Sequence, residues 1–144
     1  MKKKMTILGF ALALGLAGNA FAGGQQIAVE VAKGGDSLLV RTYHCGTPGD
    51  INLVGKAEGL VNGQPKSVEL KLAATSEPGV YSLARQWPAE GAWVLTLTNA
   101  GGAFVNALVE LKPGARLEIA SQESTLRKLS RPQLDAALQR VARR

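Results

Sequence analysis

From Gln25 to about Ile119 the apolar residues recur at every second position, the spacing of strands that bury one face. Ile27, Val29 and Val31 alternate with Ala28, Glu30 and Ala32 until Lys33-Gly34-Gly35-Asp36 breaks the run. A second segment covers 37–43 and a third Ile51 to Leu60. Behind the third stands Asn62-Gly63, the dipeptide that type I′ hairpins prefer. In 66–72 the alternation is cleanest, with Val68, Leu70 and Leu72 inward and Ser67, Glu69 and Lys71 outward. Ser76 to Gly79 turn the chain, 80–86 return it, and Trp87 to Gly91 turn it again. Residues 92–98 then place Trp93, Leu95 and Leu97 on one face and Val94, Thr96 and Thr98 on the other. Asn99 to Gly102 make a turn before a seventh run over 103–111. Seven short segments, each ended by Gly, Pro or Asn, with no helical stretch between them, predict an antiparallel β-sandwich. A small closed barrel is the alternative, because both bury one face of each strand.

Near the C-terminus the period changes. Ser130-Arg131-Pro132-Gln133 has the form of a capping box with proline in the first turn, and Leu134, Leu138 and Val141 follow at helical spacing. This predicts a short amphipathic helix, with Leu126 and Leu129 as candidates for an earlier turn. Its apolar stripe is expected to lie on the sandwich. The competing role is docking to a partner or an anionic surface through Arg140, Arg143 and Arg144.

The first 22 residues read differently again. Three lysines, an apolar run of about a dozen residues and an Ala20-Phe21-Ala22 ending form the pattern of a secretory signal peptide. The run is shorter than the roughly 20 residues of a membrane-spanning helix. The expected organisation is a signal peptide at 1–22, a β-sandwich at 23–120 and a basic helical tail at 121–144, with a periplasmic or secreted destination and no membrane span left after cleavage. One domain with a single core suits the 122 residues that remain after 22 of 144 are removed.

Charge is distributed unevenly over those parts. Residues 23–122 hold eight Lys/Arg and nine Asp/Glu, whereas 123–144 hold six Lys/Arg against Glu123 and Asp135. The whole-chain excess of +6 is therefore a property of the leader and the tail. A basic chain invites a nucleic-acid reading, but export argues against that partner.

One histidine and one cysteine, His44 and Cys45, stand side by side in Arg-Thr-Tyr-His-Cys-Gly-Thr-Pro-Gly-Asp, residues 41–50. Both methionines fall inside the leader. A blue-copper centre needs two histidines and a cysteine, and a structural zinc site about four Cys/His ligands. In extended backbone His44 and Cys45 point to opposite faces, so the pair is a weak metal candidate and a poor nucleophile–base couple. No Gly-x-Ser-x-Gly elbow occurs. Gly46 to Asp50 read as a turn, and Cys45 as a buried thiol, with a Cys45-linked dimer as the alternative in an oxidising compartment. Trp87, in a turn, is a candidate contact residue, and a ring capping the turn is the plainer expectation.

Residues 77–98 carry Pro78, Gly79 and Tyr81, then Pro88, Gly91 and Trp93 before an alternating strand. In this the stretch resembles the YtkA-like and FixH-like group of small exported domains. The resemblance implies an immunoglobulin-like sandwich, a hairpin whose tyrosine and tryptophan pack together, and a non-catalytic accessory role in oxidase assembly or copper handling. The Met and His ligands such a metal role would use are missing here. The reading that follows is an all-β, immunoglobulin-like antiparallel sandwich of about seven strands with a short C-terminal helix. It is expected to be a non-enzymatic binding or accessory module for another envelope protein, without a cofactor. The alternative is a periplasmic copper-handling or respiratory-oxidase assembly accessory.

Overall fold

The computed structural model describes residues 24–100 and 105–144. The signal-peptide reading of 1–22 and the Gly101-Gly102 part of the expected turn lie outside the described residues. Ten strands and one helix follow in chain order: β1 Gln25–Val31, β2 Ser37–His44, β3 Thr47–Pro48, β4 Leu53–Val61, β5 Gln64–Leu70, β6 Ala73–Ala74, β7 Val80–Ala84, β8 Ala92–Asn99, β9 Asn106–Leu111, β10 Ile119–Thr125 and α1 Arg131–Ala142. The pairings are antiparallel, in two sheets: β1-β2-β7-β6 with β3 also on β2, and β10-β9-β8-β4-β5. The chain is an all-β sandwich with a short C-terminal helix.

Each of the seven runs expected from alternation forms a strand: β1, β2, β4, β5, β7, β8 and β9. Their inward residues make the core between the sheets, where Ile27, Val29, Leu38, Val40, Leu83, Trp93, Leu95, Leu97 and Val109 are buried. Asn62 (φ 52°) and Gly63 (φ 73°) form the two-residue turn joining β4 to β5, with Val61 opposite Gln64. This is the type I′ geometry whose twist matches the strands it joins.

Three expectations need correction. β10 occupies 119–125, across the boundary set at 120–121, so the sandwich extends into the expected tail. Its sequence, Ile-Ala-Ser-Gln-Glu-Ser-Thr, lacks apolar alternation because it is an edge strand with a wet outer side. β7 and β8 are not a hairpin: they belong to different sheets, and 85–91 cross between them. Tyr81 and Trp93 therefore reach the shared core from facing sheets and not from one hairpin. The Tyr81 hydroxyl donates to the Ile51 carbonyl (2.9 Å) and accepts from the Ile51 amide (3.2 Å), whereas Trp93 Nε1 donates to the Glu90 carbonyl (2.8 Å).

Two glutamines close the seams between the sheets. Gln122 on β10 accepts from the Val29 amide (2.8 Å) and donates to the Val29 carbonyl (2.7 Å), imitating a strand partner for β1. Ser124 adds a bond from the Ile27 amide (3.1 Å). On the far side Gln86 treats Lys71 the same way, accepting from its amide (2.9 Å) and donating to its carbonyl (2.8 Å). Backbone groups at a sheet edge are costly when unpaired and dry, and a side-chain amide offers both a donor and an acceptor at the right spacing.

Helix α1 lies on the outer face of the β8–β9 sheet, as its stripe predicts. Ala137, Leu138 and Val141 are buried against Ala92, Val94 and Leu108, with Leu129 and Leu134 at the margin. The Ser130 capping box is complete: its side chain accepts from the Gln133 amide, and the Gln133 side chain accepts from the Ser130 amide (2.8 Å). Leu126 is 58% exposed and begins no helical turn.

Candidate functional site

The helix covers one sheet, and the other sheet keeps its outer face open. Register gives that face three rows: Gln26, Tyr43 and Pro48; Ala28, Arg41 and Val80; Glu30, Leu39, Ser82 and Ala73. At its β2–β3 end a shallow cleft of about 320 Å³ is lined by Arg41, Tyr43, Pro48, Glu77, Pro78 and Val80, with Thr42 and Gly79 beneath. Ligand clefts begin at roughly this size and are mostly apolar with a few placed polar groups. Here the apolar walls are the tyrosine ring, two prolines and a valine. The polar group is Arg41, which bridges Glu30 (2.9 Å) and Glu77 (3.4 Å). Those hydrogen bonds and charges, Glu30 foremost, raise the Arg41 pKa, and the two salt bridges hold the guanidinium along the rim.

The floor of the cleft is rigid for reasons visible in its bonds. Thr42 Oγ1 donates to the Gly49 carbonyl (2.6 Å) and lies 3.2 Å from that of Gly79, and the Thr42 amide donates to the same Gly79 carbonyl (2.8 Å). The Asp50 carboxylate accepts from the Gly79 amide (2.7 Å). Burial, together with the Asp50 charge, pushes the Tyr81 phenol up, against the lowering influence of its bond to Ile51. Thr42 itself is fully buried, a polar residue satisfied by backbone carbonyls.

The residues expected to carry chemistry are dispersed. His44 is the exposed last residue of β2, paired in register with Thr47. Cys45 (φ 52°) and Gly46 (φ 79°) form a tight two-residue turn between β2 and β3. The buried thiol is thus overturned: Cys45 is exposed and free, because a turn at the sandwich end directs its side chain to solvent. Cys45 also lies outside extended backbone, so strand alternation does not orient it relative to His44. Among the described residues no group of three or more His, Cys, Asp or Glu side chains is placed to hold a metal ion.

Trp87 is 3% exposed and belongs to the core, which removes it as a surface contact. The Arg85 guanidinium carbon lies 5.8 Å from the centre of its ring, and Arg85 also donates to the carbonyls of Ala115 (2.8 Å) and Gly114 (3.1 Å). Arg140 and Arg144 are engaged within the chain as well. Both bind Glu110, a β9 residue 3% exposed: Arg140 Nε lies 2.8 Å and Arg144 Nη2 3.2 Å from its carboxylate. Burial pushes the Glu110 carboxyl up, but the hydrogen bonds from Arg140 and Arg144 outweigh it and hold it below the usual carboxylate range. Arg143 caps the helix end with its backbone and is exposed.

The sequence reading missed Arg41, Tyr43 and Glu77. The signal for Arg41 and Tyr43 was faint: outward positions on a strand that carry an aromatic and a cation where Ser or Thr would serve solubility; Glu77, in the turn before β7, gave none. No family model matches the chain, and neither a curated protein nor a solved structure does.

Proposed function

We propose that this chain is an exported, non-catalytic β-sandwich that binds another envelope protein through the open face of the β1-β2-β7 sheet. The carrying observation is the asymmetry of the two outer faces. One is covered by α1, and the other presents Tyr43, Pro48 and Val80 around a cleft, with Leu39 further along the same face. A strand face bearing aromatic and proline side chains beside a fixed cation suits a peptide or protein surface better than bulk water. The leader pattern of residues 1–22 supports export. The sheet orders β1-β2-β7-β6 and β9-β8-β4-β5 match the immunoglobulin A-B-E-D and G-F-C-C′ orders, with β10 added. That supports the immunoglobulin-like reading and, with the likeness of 77–98 to the YtkA-like and FixH-like group, an accessory role.

Site-specific photo-crosslinking in intact cells tests this reading. Crosslinkers at positions 39, 43 and 82 should each give a discrete protein adduct. Crosslinkers at 136 and 139, on the exposed side of α1, should not. Equal adducts from both sets, or none from the sheet positions, would refute it.

A further inference from the structure

Two large apolar side chains are exposed among the described residues, Val54 at 50% and Leu126 at 58%, and both stand at the same end of the helix-covered sheet. The first cross-strand row of that sheet reads Val54, Thr98, Asn106, Thr125, and Leu126 follows directly. Three strand spacings separate Val54 from Thr125, roughly 14 Å. Beside Leu126 come Arg127 and Lys128, both exposed. The Arg127 carbonyl accepts from Asn106 Nδ2 (2.9 Å), which anchors this short segment to the sheet.

The cations that follow Leu126 favour an anionic surface. The next row on the same face holds Glu69, Lys56 and Glu123. On the neighbouring sheet at the same end Glu77 is paired with Arg41, and Asp50 accepts from the Gly79 amide, a neutral donor. Arg127 and Lys128 stand beside Leu126, and among the described residues no acid is bonded to either side chain by hydrogen bond or salt bridge.

We infer that the Val54/Leu126–Lys128 end of the sandwich is a peripheral contact site for an anionic lipid surface. Leu126 and Val54 would enter the headgroup boundary, and Arg127 and Lys128 would meet lipid phosphates. This goes beyond the partner-binding reading and uses a different surface. It also replaces the membrane role first assigned to Arg140 and Arg144, whose guanidinium groups serve Glu110.

The test is co-sedimentation of protein beginning at Gly23, which keeps every described element, with vesicles. Vesicles of phosphatidylglycerol mixed with phosphatidylcholine should bind it, and phosphatidylcholine alone should not. Each surface cation removed should weaken binding about fivefold, so Arg127→Ser with Lys128→Ser should do so roughly 25-fold. Leu126→Ser should also weaken it, while Arg116→Ser, in the loop at the opposite end, should leave it unchanged. All four positions are exposed, so the variants should melt like the parent. No binding to the anionic vesicles, equal binding to both kinds, or equal loss with Arg116→Ser would overturn the inference.

Discussion

Gly59 lies directly under the indole of Trp93: a β-carbon at 59 would come within 2.5 Å of Trp93 Cδ2 and Cε3. The two residues are register partners on β4 and β8, and Trp93 is 3% exposed. The ring has no room to retreat, since it fills the core and its Nε1 is tied to the Glu90 carbonyl. Gly59→Ala should therefore destabilise the fold by about 1–3 kcal/mol, the range for overpacking a filled core. Gly63→Ala offers a contrast, since nothing stands within 4 Å of its β-carbon position and only the positive φ opposes it. Urea unfolding of both variants checks the order: a Gly59→Ala midpoint equal to that of the parent would show that the ring yields.

Glu110 makes the docking of α1 dependent on pH. Its folded pKa is depressed, so the stability it contributes is present above the unfolded value of about 4.5 and is lost as pH falls through the folded value. Acidification should loosen α1 before the sandwich, because Glu110 is bound by Arg140 of α1 and by Arg144, two residues beyond the helix. Glu110→Gln should mimic this at neutral pH, at a cost of about 1–3 kcal/mol. Hydrogen exchange should show faster amides in 134–141 for Glu110→Gln with β2 and β8 little changed. Uniform acceleration across the domain would contradict a local latch.

Gln122 makes two of the bonds in the seam between β1 and β10, and Ser124 adds a third. Gln122→Leu keeps the bulk but strips the Val29 amide and carbonyl of their partners, which should cost about 1–3 kcal/mol. Gln122→Glu keeps the acceptor and places a carboxylate against the Val29 carbonyl, so it should be worse than Gln122→Leu near neutral pH and milder once protonated. Thermal melts at two pH values separate these outcomes. An unchanged melting temperature for both variants would mean that the seam contributes little.

What could be read from sequence follows how local the cause is. Val68, Leu70 and Leu72 reveal a strand because alternation is set by each residue's own burial, and Ser130 to Gln133 reveal a helix start because the cap is made within four residues. β10 gives no such sign, since backbone pairing with β9 and the reach of Gln122 to Val29 hold it in place. Arg140 and Arg144 looked available because the acid that takes them is thirty or more residues earlier. One clue existed: Glu110 interrupts the apolar run Ala107-Leu108-Val109 before Leu111, and a buried acid needs cations. The open-face site was hidden because Arg41, Tyr43, Pro48 and Glu77 come together only through the pairing of β2 with β3 and β7.

Cys45 occupies the turn position where asparagine stands in the matching β4–β5 turn, with φ 52° at both residues. Left-handed backbone costs an ordinary residue about 1–2 kcal/mol, and asparagine tolerates it better. Cys45→Asn should thus stabilise the protein by up to about 1 kcal/mol, whereas Cys45→Val should destabilise it. A thiol kept at such a position, exposed and alone in the sequence, is placed to meet a thiol from another molecule. Protein isolated from an oxidising compartment without reductant should show a dimer band on a non-reducing gel, absent from Cys45→Ser. Native protein from reduced stocks should react with a thiol reagent as fast as unfolded protein. Slow native labelling, or a dimer band that survives Cys45→Ser, would count against an exposed linking thiol.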